Sequence, residues 1–76
     1  MTLAPKEGEY IAEVTHIEDD SSLNLRMEPS MEADVRKRLL KGQRLLVEET
    51  LDGGWVKVRT DVTEGYVMAE YLEKVE

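Results

Sequence analysis

Short runs in which apolar and polar residues alternate with a period of two, each closed by turn residues, constrain this chain more than any other feature. Leu23, Leu25 and Met27 alternate with Asn24 and Arg26, and Val56 and Val58 alternate with Trp55, Lys57 and Arg59. Ala12 and Val14 alternate with Glu13 and Thr15 behind Tyr10. Successive strand side chains face opposite sides of a sheet, so each run reads as a strand with one buried face. Leu45 and Val47 continue the scheme, but Leu46 between them makes that strand apolar on both sides, as expected where both faces are covered or where a neighbouring loop packs on the strand.

The breaks between runs carry turn chemistry. Glu18 to Ser22 is too polar for a core-facing strand and reads as a loop. Pro29 removes a backbone donor and pushes Glu28 towards extended geometry, which ends the strand begun at Leu23. Gly42 and Gly53-Gly54 tolerate positive φ, and Asp52-Gly53 between two alternating runs is a hairpin signal. Asp61 to Glu64 forms the next turn, before Gly65-Tyr66-Val67-Met68. Ser30 to Leu40 also has near-helical spacing, with Ser30 as a cap. A loop followed by a short strand from about Val35 suits a sheet better. Met68 to Leu72 suggests one 3₁₀ turn before a last strand at Glu73 to Val75. The sum is an all-β fold, a small barrel of five or six short antiparallel strands, because closure removes exposed edges.

Seventy-six residues are too few for two cores, and 41% apolar with 36% charged residues suit one globular domain. Residues 1–9 lack periodicity and read as a flexible lead-in or linker; residues 10–76 form the domain. Without cysteine there is neither a disulfide framework nor a thiolate metal site. No apolar run approaches the roughly 18 residues of a membrane span, and Met1 to Tyr10 holds no signal-peptide core. The expectation is either a cytoplasmic protein or a module of a longer one.

Seventeen acidic against ten basic residues give a net charge of -7. That balance works against nonspecific nucleic-acid binding, which draws on cations replacing counterions, and against anionic surfaces. Yet Arg36, Lys37, Arg38, Lys41 and Arg44, half of the positive charge, fall within nine residues. They read as a solvated sheet edge, where charge discourages aggregation, or as a local anion-contacting strip.

Longer motifs join these elements. Leu23-Asn24-Leu25-Arg26-Met27-Glu28-Pro29-Ser30 precedes Val35 and Leu39, then Lys41-Gly42. Gly54-Trp55-Val56-Lys57-Val58 follows, then Gly65-Tyr66-Val67 and Tyr71-Leu72. In this order and spacing, over about residues 10–75, the series resembles the bacterial SH3 (SH3b) family. Glu28 and Lys37 depart from it, standing where that family often has glycine, and Leu40 adds an apolar residue beside Leu39. The resemblance implies a non-catalytic SH3-like barrel without cofactor, an accessory module of a cell-envelope protein. Its partner would be a peptide, a peptidoglycan fragment or a neighbouring protein domain. A monomer is expected. The aromatic density of eukaryotic SH3 domains, which a proline-helix groove needs, is missing.

Catalytic sets are thin. His16 is the single histidine and has no cysteine to partner it. A serine triad needs a base oriented by a carboxylate, and His16 beside Asp19, Ser21 and Ser22 reads as an ordinary strand-end residue. One histidine is a poor start for zinc, and Glu18-Asp19-Asp20 lacks the spacing of a calcium loop. The aromatics point to binding instead. Trp55 falls on the face opposite Val56 and Val58, and Tyr10, Trp55, Tyr66 and Tyr71 would line a shallow groove if strand ends converge. Asp19, Asp20 and Glu28 would give it an acidic rim suited to a cationic peptide. The competing reading is that Trp55 and Tyr66 cover the barrel end as a secondary core. In that case the module is a spacer or docking domain.

Overall fold

The computed structural model describes residues 6–18 and 20–75. Its strands are β1 (Tyr10–Val14), β2 (Ser22–Arg26), β3 (Val35–Leu40), β4 (Arg44–Thr50), β5 (Trp55–Arg59), β6 (Glu64–Met68) and β7 (Leu72–Lys74). All pair antiparallel in one sheet, in the order β3-β2-β6-β5-β4-β1-β7. The all-β class follows as alternation requires. Among the described residues seven strands stand where five or six were expected, and two 3₁₀ turns, Asp52–Gly54 and Ala69–Tyr71, where one was expected. The last strand is Leu72–Lys74, a residue earlier than the sequence pattern suggests.

The inner residues of the alternating runs converge. Ala12, Val14, Leu23, Leu25, Leu39, Leu45, Val47, Val56, Val58 and Val67 form one core cluster. Val14 and Leu25 share that cluster although β1 and β2 are four places apart in the sheet order. The sheet must therefore curl until both sides meet the same core, which makes it a barrel with β3 and β7 at its hydrogen-bonded limits. Leu46 is fully buried yet outside the cluster, in register with Ile11 and Arg59 on the other face. The strand that is apolar on both sides is thus covered on both sides.

The segment with two possible periods resolves as a strand. Pairing of Leu23 with Leu39 and of Ser22 with Leu40 places β3 beside β2, and tertiary pairing overrides the local helical spacing. The β4–β5 connection is a 3₁₀ turn and not a two-residue hairpin loop. Gly53 and Gly54 adopt φ of 77° and 85°, which a side chain would resist. At the far end, Val75 N donates to Ile11 O at 2.9 Å, and Lys74 Nζ lies 5.3 Å from the Tyr10 ring centroid. The first and last strands are thereby tied together along β1 and β7. No helix of the described residues is long and apolar enough to cross a membrane.

Candidate functional site

One groove, of about 530 Å3, opens over the outer face of β2, β5 and β6. Its base follows from register. Val56 pairs with Val67 and Val58 with Gly65 on the core side, so Trp55 and its partner Met68 must face outwards. Arg26 pairs with Tyr66 and brings β2 alongside. The β2–β6 contact is close because Gly65 has no side chain: a Cβ there would lie 2.6 Å from Arg26 O and 2.8 Å from Leu25 Cγ. A larger residue would push β2 away and open the floor.

The walls come from three connections. Thr15 to Glu18, with Ser21 and Ser22, form one side. Thr15 N and His16 N both donate to Tyr71 O, at 3.1 and 3.4 Å, so the loop base and the second 3₁₀ turn move as a unit. Ser21 N donates to Glu18 O at 3.0 Å and closes the loop. Met31 enters from the β2–β3 connection. Arg26 Nη1 donates to Ala33 O at 2.9 Å and anchors that connection over the sheet. Thr15 Oγ1 is buried and has no hydrogen-bond partner among the described residues, which leaves an acceptor and donor in the wall.

Trp55 is 9% exposed, lies outside the core cluster, and meets the groove with its remaining surface. It is packed on its flank and presented at its rim, which combines features of both sequence expectations. Tyr71 lines the same groove. These two are the aromatics brought together. Tyr66 is half-buried on the same outer row, between Arg26 and Lys57, but does not line the groove. Tyr10 packs against the core from β1 and faces Lys74 instead.

The acidic rim is differently composed. Glu18 lines the groove, whereas Asp20 and Glu28 are exposed elsewhere and Asp19 lies outside the described residues. Glu28 O accepts from Ser30 N at 2.8 Å, so its backbone serves the turn around Pro29. Sequence reasoning missed Asn24, Arg26 and Met68 as groove residues. The signal for them was the outward half of the alternation, since whatever faces away from Leu23, Leu25 and Val67 must share a surface with Trp55.

His16 lines the groove, and no group of three or more His, Cys, Asp or Glu able to hold a metal occurs among the described residues. The arrangement offers apolar faces from Trp55, Tyr71, Met31 and Met68, hydrogen-bonding groups from Ser21, Ser22 and Asn24, a carboxylate from Glu18 and a guanidinium from Arg26. That combination joins apolar contact area to a few orienting polar groups.

A family model described as bacterial SH3 domain matches residues 21–73. No curated protein matches the chain. Among solved structures, the chain is similar to NlpC2 from Trichomonas vaginalis, with a TM-score of 0.73 at 12% identity. The likeness covers 86% of this chain and 23% of that one, so this chain corresponds to about a quarter of the longer protein's length.

Proposed function

This chain belongs to the bacterial SH3 domain family, and from that premise we propose that it is a non-catalytic binding module of a cell-envelope protein. Its groove takes an extended peptide carrying an amino group, as found in peptidoglycan stems and cross-bridges. The observation that carries this reading is the convergence of Trp55 and Tyr71, from separate elements, on one groove walled by the Thr15–Ser22 loop. Aromatic side chains supply large contact area at low entropic cost, and a polar wall orients the peptide backbone. The net charge of -7 favours a cationic ligand over an anionic one, while within the groove the Glu18 carboxylate and the Arg26 guanidinium offer one charge of each sign.

Titration of the isotopically labelled domain with muropeptides and cross-bridge peptides tests the proposal. Amide shifts should concentrate on Ser21 to Asn24, Met68, Tyr71 and the Trp55 indole. Trp55→Ala should weaken binding by at least roughly tenfold, as truncation of a buried aromatic anchor does. No shifts at these positions with millimolar peptide would end this reading.

A docking role has its own support. Met27, Met31 and Val35 are 49%, 66% and 44% exposed around the β2–β3 connection, and Met27 N donates to Asp34 O beside them. Such a patch fits burial against a neighbouring domain. Line broadening confined to these three residues as protein concentration rises would favour docking over peptide capture.

A further inference from the structure

We propose that the free edge of β3 is a second docking site, which takes an acidic extended segment of a partner protein as an added strand. Within the sheet β3 has one neighbour, β2, and no strand of the described residues pairs with its other side. An edge strand presents unpaired backbone donors and acceptors along that side. Peptides that add to such an edge gain main-chain hydrogen bonds, while side chains set specificity.

The specificity here is electrostatic. Arg36, Lys37 and Arg38 are exposed and take part in no ion pair among the described residues. In a chain of net charge -7, this is a concentrated positive edge. Register places the cations on both sides of it: Lys37 pairs with Leu25, an inner residue, and Arg38 with Asn24, an outer one. A strand laid along the edge meets both, each opposite a carboxylate. A polyanion resting on one face meets only part of the set. A second copy of β3 is a poor occupant, because antiparallel pairing centred on Lys37 or Arg38 sets cation against cation.

The regular stretch also has a limit. Pairing slips at Leu25/Arg26, where Val35 follows Lys37 as the next partner and Arg36 is left over as a bulge. A bulge bends and twists its strand, so an added segment should run along Lys37–Leu40 and stop at Arg36. Exposed Leu40, at 65%, offers an apolar contact at the other end.

The test uses an N-acetylated hexapeptide with two adjacent central glutamates flanked by valine and threonine, so that its carboxylates project to both faces of an added strand, followed by amide shifts of the labelled domain. Shifts should centre on Lys37 to Leu40, weaken with added salt, and leave the Trp55 indole unchanged. The double substitution K37E and R38E should reduce affinity by roughly tenfold or more, with folding checked by the Trp55 emission spectrum. N-methylation of every peptide amide keeps the charge but removes the donors of both peptide edges, and should abolish the shifts. Equal binding by the N-methylated peptide, or equal shifts with inorganic polyphosphate, would overturn strand addition in favour of a polyanion site. Absence of any shift with millimolar peptide would overturn the site altogether.

Discussion

β5 and β3 belong to one sheet and differ in length by one residue, yet they draw on their sequences differently. β5 lies between β4 and β6, and Trp55, Val56 and Val58 are all buried. β3 lies at the limit of the sheet, and Leu39 alone of its six residues is buried. A strand with two neighbours and a covered face is held at nearly every position. An edge strand is held at one anchor and is free elsewhere to carry charge. The difference separates residues that specify the fold from residues available for contact.

Three substitutions break or sharpen that contrast. The largest effect should come from Gly65→Ala at the packed centre, where the added methyl meets the Arg26 carbonyl and the Leu25 side chain. Because the nearest atom is backbone, relief requires β2 to move, and urea denaturation should show a loss of at least about 3 kcal/mol. Unaltered stability would mean that β2 and β6 are less closely joined than their spacing requires. Next, Leu39→Ala should cost about 2–4 kcal/mol by the same measurement, since it empties the one core position of the edge strand. The smallest effect should come one residue later. Leu40→Ala removes a 65% exposed side chain and should change stability by no more than about 0.5 kcal/mol. Equal costs at Leu39 and Leu40 would erase the distinction between anchor and free edge.

The central strands were legible because alternation reports burial of one face, and β1, β2, β5 and β6 have such a face. β3 was harder to read. Val35 and Leu40 are apolar but exposed, so the inner and outer positions do not separate by residue type. The helical spacing of Ser30 to Leu40 then competes until pairing with β2 decides. The additional 3₁₀ turn at Asp52–Gly54 was hidden by a dipeptide that usually marks a shorter loop.

The groove was half legible. Trp55 and Tyr71 were found from residue type, but their neighbours Asn24, Arg26 and Met68 depend on which strands adjoin. Cross-strand register is a property of pairs, and a pattern within one strand does not contain it. Tyr10 was grouped with the other aromatics for the same reason, whereas pairing with β7 places it against Lys74. Arg26, a residue of the family motif, has a fold role as well as a groove position. Its hydrogen bond to Ala33 O supports the connection that delivers Met31.

The antiparallel pairing of β1 with β7 sets how the domain bears load. Tyr10 begins β1 close to where Lys74 ends β7, and Ala12 pairs with Lys74 while Val14 pairs with Leu72. Tension applied through the segments flanking these two strands therefore arrives at one end of the ladder. Its hydrogen bonds lie across the strands and along the pull, so they open one after another and do not resist together in shear. Under stretching, the barrel should peel from this seam at low force, with β7 leaving first.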